Sequence, residues 1–453
     1  MNLNYFGTDG IRGKYGSEFV NNEVAQCLGY TIGKYLNKNN LGSKITVVIG
    51  RDTRNSGREL RSALCHGLTA QKITCKDLQV LPTPAISHAV VQTKAQMGIA
   101  ITASHNPACD NGFKLLSEKG TKLTEIQEAE IEKILNEVIN KPPKFVTGAS
   151  LIPHVAINDY LKSLENILPE KALAGYTIVM DCANGATIET SPVLLEKLGA
   201  KVIKMGDSLD KDINDQVGSE YPDNLKKQVL EHKANIGIAH DGDGDRLVIC
   251  DEKGDILIGE ELLGILALHL KEKEKLNKNT LVTTIQSNSG LDHSLAKSGI
   301  AVERVNIGDR NVAEKLRLLE ASLGGESSGH IIYSDIAPTG DGLIAALKLL
   351  EVLLDTKKSL SELKSSIELF PQVTKNLIVP KKLPLESLTG FQFSLKKAKE
   401  EIGSDGRILV RYSGTENKLR LLVECSSSEK AEEIIEKLTT SARTELAIKS
   451  PSA

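Results

Sequence analysis

Three aspartates stand at alternate positions, Asp241, Asp243 and Asp245, with Gly242 and Gly244 between them. The glycines let the backbone curl until all three carboxylates converge. Two carboxylates about 4 Å apart repel by roughly 4 kcal/mol at an effective dielectric of 20, so three together call for a cation. An all-oxygen set selects a hard ion, magnesium or calcium. A calcium loop flanked by helices is the rival reading, because Asp241, Asp243, Asp245 and Glu252 fall at its ligand spacings. Its sixth position demands glycine and here is Arg246, and Leu247-Val248-Ile249-Cys250 reads as a strand. A solvated acidic turn that holds nothing is the third reading.

Three other loops concentrate reactive side chains. In Thr102-Ala103-Ser104-His105-Asn106-Pro107 a serine sits among small and turn-forming residues, so its hydroxyl could stand clear of the backbone. Asn106-Pro107 and Asn111-Gly112 mark tight turns that would fold the chain back and return Lys114 toward Ser104. A serine hydroxyl is a poor nucleophile without a base or metal beside it, and such a turn also serves as plain structure. Gly324-Gly325-Glu326-Ser327-Ser328-Gly329-His330 offers a carboxylate that can accept from two neighbouring hydroxyls, which suits a polyhydroxylated ligand as well as it suits a bare glycine-rich turn. Arg411-Tyr412-Ser413-Gly414-Thr415 joins a guanidinium and hydroxyls to a glycine that lets successive N–H groups point inward, the makings of a phosphate cradle.

Three stretches of chain repeat one layout around these loops: a β-branched run, a polar turn, then a helix. The first is a strand over 45–49, Arg51-Asp52-Thr53-Arg54-Asn55, and a helix over 58–68. The second is a strand over 177–180, Asp181-Cys182-Ala183-Asn184-Gly185, and a helix over 192–198. The third is a strand over 281–285, Gln286-Ser287-Asn288-Ser289-Gly290, and a helix to 298. Strands alternating with helices imply βαβ units and mostly parallel sheets. The expected fold is α/β: three similar domains, at 1–150 with the serine loop, 151–251 with the metal loop and 252–368 with the sugar loop. A smaller α+β domain at 369–453 carries the phosphate loop, and a helix capped by Ser428 closes it.

Length and charge agree with that plan. The 453 residues suggest about three or four compact units. Lys plus Arg at 56 against Asp plus Glu at 59 leaves −3, so no global basic field recruits nucleic acid or membrane and a charged ligand must be gripped locally. Seven scattered cysteines, none spaced C-x-x-C, argue against a disulfide framework or zinc site and for a reducing cytoplasm. No basic-then-apolar leader opens the sequence and no long apolar span follows, so neither export nor membrane crossing is expected.

Taken in this order over essentially the whole chain, the four loops resemble the α-D-phosphohexomutase family. Phe6-Gly7-Thr8-Asp9-Gly10-Ile11-Arg12-Gly13 and Val305-Asn306-Ile307-Gly308-Asp309-Arg310 are most similar to its glucosamine-phosphate branch, whose members interconvert glucosamine 6-phosphate and glucosamine 1-phosphate. The resemblance implies four domains around a central cleft and a phosphoserine at Ser104 that donates and regains a phosphoryl group. It implies one Mg2+ held by Asp241, Asp243, Asp245 and that phosphate, and a hexose 1,6-bisphosphate activator. Lys114 and His330 would assist proton transfer, while Arg12, His105 and Arg246 would steady the phosphoserine. Glu326 and Ser328 would hold sugar hydroxyls, and Arg411, Ser413, Gly414 and Thr415 the phosphate that is not reacting. A phosphosugar would be the partner, with the enzyme a monomer or homodimer. Ser327, Phe113, Tyr412 and Asn417 depart from residues frequent in that branch, which leaves glucose or mannose phosphates as the alternative substrates. A phosphatase and a catalytically silent phosphosugar sensor are the rival classes.

Overall fold

The computed structural model describes residues 3–7, 9–39, 44–143, 151–403, 406–413 and 417–446. By its contacts the chain forms two units, one of residues 1–286 and 300–365, the other of 287–299 and 366–453.

In the first unit, the opening stretch runs Ile11–Lys14 (β1), Asn22–Asn39 (α1), Thr46–Arg51 (β2), Gly57–Ala70 (α2), Thr74–Val80 (β3), Thr83–Thr93 (α3), Met97–Ile101 (β4), Asp110–Ser117 (β5) and Glu125–Asn140 (α4). Next come Leu151–Pro153 (β6), Ile157–Leu164 (α5), Thr177–Asp181 (β7), Ser191–Lys197 (α6), Lys201–Met205 (β8), Pro222–His232 (α7), Ile236–Ala239 (β9), Val248–Cys250 (β10) and Ile256–Leu257 (β11). Then follow Gly259–Glu272 (α8), Thr280–Thr284 (β12), Gly290–Ala296 (α9), Ala301–Val305 (β13), Asp309–Leu319 (α10), Leu323–Gly325 (β14), Ile331–Tyr333 (β15), Gly342–Thr356 (α11) and Leu360–Lys364 (α12). Of these, α9 groups with the second unit.

The sheets make the repetition plain. Their orders are β1-β5-β4-β2-β3-β6, β11-β10-β9-β7-β8 and β13-β12-β14-β15. Each contains the same four strands in the same arrangement: β5-β4-β2-β3, β10-β9-β7-β8 and β15-β14-β12-β13. In every copy the first pair is antiparallel and the rest are parallel. The serine, metal and sugar loops therefore occupy one topological position, the turn that leaves the third strand of its copy and enters the antiparallel fourth. An α/β sheet presents its ligand loops at the carboxyl ends of parallel strands, and β4, β9 and β14 end there.

The local chemistry accounts for these elements. Val47, Val48 and Ile49 in β2 are wholly buried, the continuous apolar run of a parallel strand covered on both faces. Leu28, Ile32 and Leu36 recur at helical spacing and seat α1 on the core. Asp341 caps α11 by accepting from the N–H groups of Leu343 and Ile344. Among the described residues no helix is long and apolar enough to cross a membrane.

The second unit holds Gln372–Ile378 (β16), Thr389–Ile402 (α13), Gly406–Tyr412 (β17), Lys418–Cys425 (β18) and Ser428–Glu445 (α14), besides α9. Its sheet, β16-β18-β17, is fully antiparallel, and Phe391, Leu419, Leu421, Val423, Ile434 and Leu438 form its core. The serine that caps α14 is Ser427 rather than Ser428: its hydroxyl accepts from the Lys430 N–H, and Ser428 is already the first helical residue.

Candidate active site

Ser104 follows β4 and is 1% exposed, with φ of +52°, a left-handed backbone that a residue bearing a Cβ adopts only under constraint. The constraint is a set of hydrogen bonds. Its N–H donates to Thr102 Oγ1 at 2.9 Å, and its carbonyl accepts from Arg54 Nη2 at 3.0 Å and Asn214 Nδ2 at 2.8 Å. Arg54, from the turn after β2, also donates to the carbonyls of Asn106, Pro107 and Asp110 while its Nε holds Asp52 at 2.9 Å. One buried guanidinium thus pins the whole serine loop. The Ser104 hydroxyl in turn points at the metal loop, donating to Asp241 Oδ2 at 2.5 Å, with His105 Nδ1 3.2 Å away.

The metal loop leaves β9 at His240. Gly242 lets the Ser104 carbonyl come close, since a Cβ there would lie 2.8 Å from that oxygen. The carboxylates of Asp241, Asp243 and Asp245 are buried, with oxygens within 4.8 Å of one another. Burial first, and then Asp245 and Asp243, push the Asp241 carboxyl up to about 8. Asp243 Oδ2 accepts from Thr83 Oγ1 at 2.5 Å and Lys114 Nζ at 2.7 Å, whereas its Oδ1 is buried without a hydrogen-bond partner. An orphaned carboxylate oxygen beside two further buried carboxylates fits a hard cation. The strand β10 follows directly, as expected of a loop that is not a calcium hand.

Around the triad lies a closed circuit of alternating charge. Lys114 meets Asp245 at 2.7 Å and Asp9 at 3.5 Å, and Lys122 bridges Asp9 to Asp309, the latter at 2.6 Å. His330 completes it, with Nε2 3.3 Å from Asp309 and Nδ1 3.6 Å from Asp245. Burial opposes charge on every member, and the neighbours outweigh it. Asp9, Asp245 and Asp309 are held below the usual carboxylate range, and Lys114, Lys122 and His330 above their ordinary values.

The remaining candidates fall as follows. Arg12 pairs with Asp9. Arg246 gives its N–H to Asp241 Oδ1 at 3.2 Å, and its guanidinium lies 3.7 Å from Glu220. In the sugar loop Glu326 is half-buried, with Oε1 accepting the Gly308 N–H at 3.0 Å, and Ser328 is exposed. In the second unit Arg411 faces Arg420 across β17 and β18, and Ser413 is buried, with Arg420 Nη2 3.4 Å from its hydroxyl and Lys382 Nζ 2.7 Å from its carbonyl. Two guanidinium groups directly opposite on one face repel unless an anion joins them. Gly414 and Thr415 lie outside the described residues.

Sequence reasoning missed Arg54, Thr83, Asn214, Lys122 and the part played by Asp9 and Asp309. Arg54, Asp9 and Asp309 carried a signal, in the Asp52-Thr53-Arg54 turn, the Phe6–Gly13 motif and the Gly308-Asp309-Arg310 segment.

Family models described as phosphoglucomutase/phosphomannomutase alpha/beta/alpha domains I, II and III match residues 3–141, 158–254 and 258–370. The C-terminal domain model of the same description matches 361–441. A relative named phosphoglucosamine mutase, from Aliarcobacter butzleri, is 39% identical over 442 residues, covering 96% of this chain and 98% of its own. Another of that name, from Myxococcus xanthus, is 42% identical over 424 residues and 92% of each chain. The solved structure of a phosphoglucomutase/phosphomannomutase family protein from Burkholderia thailandensis aligns over 98% of both chains with a TM-score of 0.81 at 22% identity, a likeness of fold.

Two outcomes follow from this geometry. Lysine cannot reach the four carbonyls that Arg54 holds, so Arg54→Lys should lower kcat by roughly 100-fold through misplacement of Ser104. An unchanged kcat would mean that the serine loop holds its shape without that clamp. The second outcome concerns His240, whose Nδ1 donates to the Arg246 carbonyl at 2.9 Å and whose Nε2 lies 2.9 Å from Ser191 Oγ. Burial pushes it down to about 4. A free histidine titrates near 6.5, so below that value the unfolded chain takes up a proton that the native chain refuses. Stability should fall as pH drops from about 6.5 to 4, by ~3 kcal/mol in all, and urea unfolding of His240→Asn over that window should lack this one-proton slope. An identical slope in both proteins would contradict it.

Proposed function

The chain belongs to the phosphoglucomutase/phosphomannomutase family, and from that premise we propose that it interconverts glucosamine 6-phosphate and glucosamine 1-phosphate through phosphorylated Ser104 and a hexose bisphosphate. The choice of amino sugar rests on relatives named phosphoglucosamine mutase that align over nearly the full chain at 39% and 42% identity. Transfer through Ser104 rests chiefly on one observation, the Ser104 hydroxyl set 2.5 Å from Asp241 within a buried acidic cluster that Lys114 partly neutralises. The partner is a phosphosugar, with no nucleic acid or membrane, and the reading places the reaction in the cytoplasm.

Asp241, Asp243 and Asp245 would hold a divalent cation, magnesium by preference of an all-oxygen set, which when bound offsets charge on the transferring phosphoryl oxygens. The chain's own residues do the rest. A hexose 1,6-bisphosphate primes Ser104 by donating one phosphoryl group. With Ser104 phosphorylated, the bond from Oγ to phosphorus breaks as a bond from phosphorus to a sugar oxygen forms, and the sugar hydroxyl gives up a proton while the serine oxygen regains one. The bisphosphate turns over, and the same exchange runs backward at the other end of the sugar. His330, raised above its ordinary value by Asp309 and Asp245 against its burial, would take that proton in its neutral form and return one to the sugar oxygen that loses its phosphoryl group.

Lys114, held above its ordinary value by Asp243 and Asp245 against its burial, would offset charge there and assist proton transfer. Arg12, His105 and Arg246 would steady the phosphoserine. Glu326 and Ser328 would take sugar hydroxyls in either orientation. In the second unit Arg411 and Ser413, with Arg420 and Lys382 beside them, would bind a phosphate.

The test compares kcat/KM, with Mg2+ and a trace of bisphosphate, for the 1-phosphates of glucosamine, glucose and mannose, using Ser104→Ala as the control. Glucosamine phosphate should be preferred, and the variant should lose roughly three to six orders of magnitude in turnover. Preference for glucose or mannose phosphate would overturn the substrate, and full activity in Ser104→Ala the route.

A further inference from the structure

The reading above assigns no part to Thr83, although it is the one hydroxyl from the first repeat that reaches a carboxylate of the metal loop besides Ser104 among the hydrogen bonds described. Its place is set by the chain around it. Leu81 closes the end of β3 by donating to the Arg51 carbonyl at 3.0 Å, and Pro82 and Pro84 flank Thr83 as it opens α3. Two prolines fix the backbone on both sides, and the first residue of a helix has an N–H that no helical carbonyl can take.

Thr83 spends both of its donors on Asp243. The N–H donates to the Asp243 carbonyl at 2.9 Å and the hydroxyl to Asp243 Oδ2 at 2.5 Å. The metal loop lies directly over this turn: a Cβ on Gly244, whose φ is +75°, would stand 3.3 Å from Pro82 Cβ. Gripped at main chain and side chain together, Asp243 cannot rotate its carboxylate without breaking a short hydrogen bond in a buried site.

The grip decides which oxygen is offered. Oδ2 carries Thr83 and Lys114, and Oδ1 is left buried with no hydrogen-bond partner. Asp241, by contrast, has both oxygens engaged, Oδ1 by the Arg246 N–H and Oδ2 by Ser104. We propose that Thr83 is a positioning residue for cation binding, holding Asp243 so that Oδ1 is the atom presented to the metal. The proposal rests on the reading of the triad as a cation site. Outer partners that orient a ligand commonly govern metal affinity as well as activity.

The experiment reads metal binding directly, without turnover. Mn2+ is titrated into the full-length protein, the Thr83→Val variant, which keeps the shape and removes the donor, and the Thr83→Ser variant, which keeps the donor. The free ion is followed by electron paramagnetic resonance, and thermal unfolding without metal is recorded in parallel. Thr83→Val should raise the Mn2+ dissociation constant by about 10- to 100-fold, and Thr83→Ser should restore it. Unchanged affinity in Thr83→Val, or a Thr83→Ser variant as weak as it, overturns the proposal alone, even where the melting temperature shifts. Failure of the unmodified protein to bind Mn2+ overturns the cation reading and this proposal together.

Discussion

Six ionisable groups alternating in sign around one circuit, part-buried Asp9 and Lys122 and buried Asp309, His330, Asp245 and Lys114, hold this site in one arrangement. Each charge would be costly to bury alone, and each is tolerated because two of the opposite sign flank it. Loss of one member leaves each of its neighbours with a single partner, so that the cost of burying them is less fully offset. The circuit draws on all three repeats: Asp9, Lys122 and Lys114 from the first, Asp245 from the second, Asp309 and His330 from the third. Their electrostatics therefore tie the first repeat, the acidic triad and the loop of His330 to one another.

The architecture makes that meeting natural. Each copy sends its functional loop from the same strand into the same antiparallel turn, so chemistry diverges at a constant position while the supporting sheet is kept. The serine loop is held open by a guanidinium that satisfies four carbonyls, the metal loop by glycines and by Thr83, and the sugar loop by the Gly308 N–H on Glu326. Backbone strain at Ser104 is retained because these contacts over-determine it.

Much of this was legible in the sequence. The β-branched runs and polar turns announced the three α/β copies, because a buried parallel strand must be apolar on both faces and its exit must be polar. Ser104, Asp241, Asp243, Asp245 and Lys114 were picked out by residue type and spacing, and the structure brings all five together. What stayed hidden depends on contacts far apart in the chain. Thr83 and Asp243 are 160 positions apart, and nothing in Leu81-Pro82-Thr83-Pro84 distinguishes a ligand-orienting threonine from an ordinary helix start. Arg12 was picked out from its motif, but its pairing with Asp9 could not be read there, because the motif does not say which carboxylate the guanidinium meets. Lys122 looked like any solvated lysine, and its place between Asp9 and Asp309 depends on residues more than a hundred positions away on either side.

The central claim is that the Ser104 oxygen carries the phosphoryl group through the reaction. The most direct measurement incubates the protein with Mg2+ and a hexose 1,6-bisphosphate, digests it, and locates the added phosphoryl group by mass spectrometry, before and after a chase with excess glucosamine 6-phosphate. The account predicts the modification on Ser104 alone, and its loss during the chase with matching formation of glucosamine bisphosphate. Phosphate on any other residue, or a phosphoserine that the sugar cannot discharge, would contradict it.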